Sequence, residues 1–143
     1  MKSFLSIIIL CFTSLSYSQS CVGEWITIDD ATNKKKSKVQ LFKYEDKLYG
    51  RINYLYPREG REDNAKCTKC TGDMKNEPLL GLPIVKGLKW NGSEWEKGTI
   101  VDPENGKTYV VKMWLDPKDS NKLNVRGYIG VFYRTQTWER VTD

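Results

Sequence analysis

The residues with the clearest capacity for chemistry are Cys67-Thr68-Lys69-Cys70. Two thiols at this spacing can form a short disulfide, poise a redox pair or supply half of a zinc site. Zinc wants about four ligands; Cys11 lies in the expected signal segment, and the remaining Cys21, Cys67 and Cys70 without any His make a poor structural site. A thioredoxin-like redox pair needs a helix N-terminus following a strand in a βαβ unit. Here the motif lies in a polar stretch between runs of strand pattern. A structural disulfide between Cys67 and Cys70 is therefore expected, with active redox chemistry as the competing reading. The lack of His also removes every His-based triad, general base and metal ligand. Glu94, Glu96, Asp102 and Glu104 gather around a turn with no defined separation, so a paired-carboxylate hydrolase has no support. No catalytic residue, metal ligand or cofactor is predicted.

Arginines and aromatics form the second group. Arg126 shares a strand face with Tyr128, and Arg134, Gln136, Trp138 and Arg140 share another. Buried arginines need acidic partners or an anionic ligand, and Asp29 and Asp30 are the candidate partners. The competing reading is an internal salt-bridge network or a wet outer face. Five Trp at 25, 90, 95, 114 and 138 join many Tyr, residues that carry a polar handle and often line pockets. The candidate ligand-binding set is Tyr49, Arg51, Tyr109, Trp114, Arg126, Tyr128, Arg134, Gln136 and Trp138, for a small apolar or amphipathic ligand.

The elements that must position these groups are strands. Leu48, Gly50, Ile52 and Tyr54 alternate with Tyr49, Arg51 and Asn53. Tyr109, Val111 and Met113 alternate with Val110, Lys112 and Trp114, and Leu123, Val125 and Gly127 with Asn124, Arg126 and Tyr128. Period two marks strands, and no useful window carries the period of an amphipathic helix. Glu45-Asp46, Asn91-Gly92 and Asp102-Pro103-Glu104-Asn105-Gly106 are turn signals. Strands are expected near 22–29, 37–45, 47–56, 83–89, 94–101, 107–116, 122–129 and 131–141. Residues 57–78 form a long polar loop that carries both cysteines. Loops of this length are uncommon unless functional or pinned. Gly50 and Gly127 inside strand patterns suit the bends of a closing sheet. Eight antiparallel strands closed into a barrel leave an interior that is either filled or able to hold one small ligand.

The N-terminus carries an export pattern. Lys2 precedes an apolar run from Phe4 to Leu15, too short to span a bilayer, and Ser16-Tyr17-Ser18 offers small residues for a cut before Gln19. The expected division is a signal peptide at 1–18 and one domain at 19–143. Removal of Lys2 with no acid takes the formal charge from +5 to +4. That mild excess, spread among many acids apart from Lys34-Lys35-Lys36, does not suggest nucleic-acid binding. No other run approaches a transmembrane span. The product should be periplasmic or secreted. Cys21 follows the cut, but Ser18 stands three residues before it where a lipoprotein site has an apolar residue, which argues against a lipid anchor.

Two resemblances follow from these motifs. Gly23-Glu24-Trp25 on the first strand and Arg140 on the last resemble the lipocalin pattern. That pattern implies Trp25 as the plug of the closed barrel end, with the cation of Arg140 packed across it. A second covers nearly the whole mature chain. It is carried by Thr27-x-Asp29-Asp30, Leu48-Tyr49-Gly50, Cys67-x-x-Cys70, Pro78-Leu79-x-Gly81, Asp102-Pro103-x-Asn105-Gly106-x-x-Tyr109, Val125-Arg126-Gly127-Tyr128 and Arg134-Thr135-Gln136-x-Trp138-x-Arg140. In this order they resemble a family of small secreted bacterial proteins catalogued as a domain of unknown function, whose members look like lipocalin-type barrels. The resemblance implies fold and export but no reaction. Cys21 stands outside its pattern. The expected fold is an all-β, antiparallel, lipocalin-like barrel of about eight strands, with the cysteine loop covering part of one end. Two roles are in view: a carrier of a small ligand, or an envelope protein whose filled barrel docks a protein partner.

Overall fold

A computed structural model describes residues 20–142. The expected signal peptide and its cut lie outside the described residues. Eight strands follow in order: β1 (Gly23–Ile28), β2 (Lys35–Tyr44), β3 (Lys47–Leu55), β4 (Pro83–Trp90), β5 (Trp95–Asp102), β6 (Lys107–Leu115), β7 (Lys122–Ile129) and β8 (Phe132–Arg140). Each pairs antiparallel with the next, and β1 returns to β8 to close the barrel. The eight-stranded, antiparallel expectation holds, with strand ends displaced by one or two residues. No helix among the described residues is long and apolar enough to cross a membrane.

Local chemistry makes the reversals. Glu45 and Asp46 both take positive φ, 47° and 63°, and join Tyr44 to Lys47 in a two-residue hairpin of the kind that matches strand twist. At the β4–β5 turn, Asn91 Oδ1 accepts from the backbone N–H groups of Ser93 and Glu94 at 2.9 and 2.8 Å. That is the Asx geometry that lets Asn start a turn.

Period two then divides the strands into an inner and an outer face. Val39, Leu41, Leu48, Val85, Leu88, Val111, Met113 and Leu123 are fully buried and form one core with Trp25 and Trp138. The closing seam is short. β1 and β8 pair only at Trp25–Arg140 and Ile26–Glu139. Above it, the Asp30 carboxylate accepts from Gln136 Nε2 at 2.7 Å and pairs with Arg134 Nη2 at 2.6 Å.

The cysteine loop is folded back on itself. Lys66 bridges Pro78, Cys67 N–H donates to Glu77 C=O, and Leu79 N–H donates to Ala65 C=O. The Cys67–Cys70 disulfide is formed, as expected. Gly106, at φ 73°, receives this loop. A Cβ there would lie 1.7 Å from the backbone oxygen of Lys69, so only glycine permits the contact.

Candidate functional site

The two ends of the barrel differ. At one end the Trp25 indole is fully buried and its Nε1–H donates to Cys21 C=O at 2.9 Å. Arg140 lies over the indole face, 4.3 Å from ring centroid to guanidinium carbon, and donates to the carbonyls of Ser20, Val22 and Ser120. A sheltered cation over an indole is attractive by ~0.5–2 kcal/mol. Trp25 and Arg140 are thus in contact at this end of the barrel. Cys21 is buried beside them, and burial pushes its thiol up to about 11 against the pull of Arg140.

The other end is hollow. A cavity of about 420 Å3 opens between the upper strands and the cysteine loop. Its wall is apolar where Ile52, Leu55, Ile84, Ile100, Val125 and Trp138 face inward. One strip is polar: Thr27 and Ser37, both buried, share a hydroxyl–hydroxyl hydrogen bond of 2.7 Å. Cations crowd the mouth. Lys36, Arg58, Arg61, Lys66 and Arg134 line the cavity against only two carboxylates, Asp102 and Glu104. Glu104 pairs with Arg58 at 2.7 Å and Lys36 at 3.4 Å. Partial burial raises the Glu104 carboxyl, but the Arg58 hydrogen bond and the Lys36 and Arg58 charges outweigh it and leave the pKa below the ordinary value. The same contact raises Arg58.

A second, more open concavity of about 660 Å3 lies at the plugged end, among Cys21, Lys43, Lys89 and Trp90, and shares no lining residue with the first. Fewer polar groups converge there.

Of the nine residues expected to bind a ligand, four line the hollow end: Tyr109, Arg134, Gln136 and Trp138. The other five, Tyr49, Arg51, Trp114, Arg126 and Tyr128, do not line it and face outward. On β3 the buried residues Leu48, Gly50 and Ile52 take the inner face, so Tyr49 and Arg51 must take the outer one. Tyr49 there stacks on Phe42 with centroids 6.0 Å apart, and Arg51 lies over the same Phe42 ring. On β6 and β7 the inner face belongs to Val111, Met113, Leu123 and Val125. Arg126 therefore packs outside between the rings of Trp114 and Tyr133, at 5.0 and 4.6 Å, and donates to Thr135 Oγ1. Tyr128 packs against Tyr133 on the same outer surface. Of the two acid pairings considered for arginine, Arg134 with Asp30 is present.

The mouth residues Lys36, Arg58, Arg61 and Lys66 were not in the expected set. Three sit in the long loop, where no strand period assigns a face. In that loop Arg58, Arg61 and Lys66 are interleaved with Glu59, Glu62 and Asp63, so no local charge excess marked them.

Comparison with other proteins bears on this architecture. The profile of a family described as uncharacterized protein conserved in bacteria, DUF2147, matches residues 23–140. Among solved structures, protein HP1028 from Helicobacter pylori, described as belonging to the lipocalin family, matches at a TM-score of 0.72 and 21% identity. The match covers 87% of this chain and 84% of that one. No curated protein matches the sequence. The likeness to HP1028 shows the lipocalin-like fold alone.

Proposed function

The chain belongs to the DUF2147 family of bacterial proteins, and from that premise we propose that it is a carrier holding one small amphipathic molecule in the hollow half of its barrel. The observation that carries this reading is the cavity of about 420 Å3, apolar within and polar at its mouth. That volume lies in the range of small-molecule sites, and an apolar wall with a few convergent polar groups is the usual composition of one. Tyr109, Gln136 and Trp138 are the contact residues among those expected from sequence, with Thr27 and Ser37 as the polar strip. The hollow upper half favours a carrier over a filled barrel that docks a protein partner.

We further propose that the chain works outside the cytoplasm, in the periplasm or after secretion. The export pattern of residues 1–18 supports this, and the Cys67–Cys70 disulfide fits an oxidising compartment.

Native mass spectrometry of protein purified from its own envelope fraction without detergent tests the carrier reading. An added mass that leaves on denaturation is expected. A bare chain that also takes up no 1-decanol on titration would overturn it.

A further inference from the structure

The mouth of the cavity carries an excess of cations: Lys36, Arg58, Arg61, Lys66 and Arg134 against Asp102 and Glu104. Arg58, Arg61 and Lys66 come from a single loop, and Lys36 joins them from β2. Against these four stands one pairing carboxylate, Glu104 from the β5–β6 hairpin, whose Oε1 lies within reach of both Arg58 and Lys36. Arg61 donates to Tyr56 C=O, a neutral partner from its own loop. Among the described residues, neither Arg61 nor Lys66 forms a salt bridge. Asp102, the other lining carboxylate, is engaged with the Glu104 N–H at 2.9 Å.

The loop that carries these cations is not a free tail. Its disulfide, its own backbone hydrogen bonds and its close seat on Gly106 hold it over the opening. Fixed cations beside a low-dielectric wall concentrate potential in the opening and favour an anion there. Arginine forks match the planar oxygens of a carboxylate and the oxygens of a phosphate, and such charge-assisted hydrogen bonds are about twice as strong as neutral ones. The Glu104 carboxylate already occupies a position that such an anion would suit.

Resting on the carrier reading, we infer that the cargo is an anionic amphiphile: its chain lies among Ile52, Ile84, Ile100 and Val125, and its carboxylate or phosphate monoester head is held at the mouth by Arg58, Arg61 and Lys66. Glu104 pairs with Arg58 and Lys36, and an incoming anion competes with it for them. The disulfide loop is thus the headgroup-selecting part of the site, and the barrel wall is the chain-holding part.

Binding of three probes of one chain length tests this, namely 1-decanol, decanoate and decyl phosphate, followed by calorimetry at low salt. At least one anion is expected to bind about tenfold more tightly than the alcohol, a preference that added salt erodes. The tighter of the two anions separates a carboxylate cargo from a phosphate one. Arg58→Gln combined with Arg61→Gln should erase the preference and leave decanol affinity within about twofold. Lys66→Gln, at a residue without an ion pair, should lower anion affinity a few-fold even if the double variant folds poorly. Equal affinity for all three probes, or a preference that survives these substitutions, overturns the inference and leaves the carrier intact. Failure of decanol and both anions to bind overturns both.

Discussion

The same eight strands build a solid half and a hollow half, and glycine shows why. At the solid end, Gly50 and Gly98 sit where no side chain fits. A Cβ on Gly50 would lie 2.6 Å from Leu41 Cδ2, and one on Gly98 would lie 2.6 Å from both Leu88 Cδ1 and the Lys86 backbone oxygen. At the hollow end, Gly127 lines the cavity, and its Cβ would make only an ordinary contact of 3.5 Å with Tyr109. Glycine is needed in one half because the interior is full. In the other it helps keep the interior empty. Hollowness therefore follows side-chain volume on the inner face, and it coincides with the level where backbone pairing of β1 with β8 has ended and Asp30 with Arg134 and Gln136 closes the seam.

The largest effect should separate the halves by stability. Trp25 is fully buried, carries a hydrogen bond and supports Arg140. Trp25→Ala should cost about 4 kcal/mol in denaturant unfolding, the usual range for emptying a packed aromatic site. Ile100→Ala, at a half-buried cavity wall, should cost about 2 kcal/mol, because the space beside it is already open. Equal costs would mean that the upper wall is packed as tightly as the plug.

The glycines sharpen the contrast. Gly98→Ala drives a methyl into a backbone oxygen and a buried leucine, and overpacking of this kind costs about 1–3 kcal/mol. Gly127→Leu should leave stability within about 1 kcal/mol, since it adds apolar volume to open space. It should nevertheless abolish decanol binding by filling the chamber. A Gly127→Leu protein that folds and still binds decanol at full affinity would place the cargo elsewhere.

The disulfide should matter less to the whole molecule. Its closed loop spans four residues, and the chain-entropy term for so short a loop is about 2 kcal/mol. Cys67→Ser with Cys70→Ser should lower global stability by up to that amount. Limited trypsin digestion should then cut at Lys66 or Lys69 before the barrel opens. Cleavage starting instead within the strands would show that the loop is not the weaker unit.

How far this division could be read from sequence depended on periodicity. Alternation and turn residues placed all eight strands, because period two and positive-φ turns are local properties. Trp25 over Arg140 and the Cys67–Cys70 bond were also legible, the first through family likeness and the second through spacing. The inward face was not settled by aromatic content. On β3, the small residue Gly50 faces in because Leu41, Val39 and Val85 already fill that space, and this pushes Tyr49 and Arg51 outward. Such crowding is contributed by other strands and cannot be read from β3 alone. The mouth cations escaped for a similar reason. Arg58 meets Glu104 across 46 residues of chain, and no local pattern announces that contact.

The smallest expected effect concerns acid. Glu104 has a lowered pKa, so its ion pairs contribute stability that is present above the ordinary value of 4.5 and lost as pH falls through the lower folded value. The side chain is 43% exposed, which keeps the contribution small, at most ~0.5 kcal/mol near neutrality. Glu104→Gln should therefore flatten the acid limb of a Tm-against-pH curve only slightly, below about pH 4.5. At the plugged end, Arg140 is held by three carbonyl oxygens and an indole, none of which titrates in acid, so these contacts add nothing to this limb. The same substitution should act in the opposite sense on binding. Removing the Glu104 charge frees Arg58 and Lys36 for an incoming anion, so decanoate affinity should rise at pH 7 while decanol affinity stays level. An acid limb steeper than that of the unsubstituted protein, or weaker decanoate binding, would show that Glu104 organises the mouth for something other than an anion.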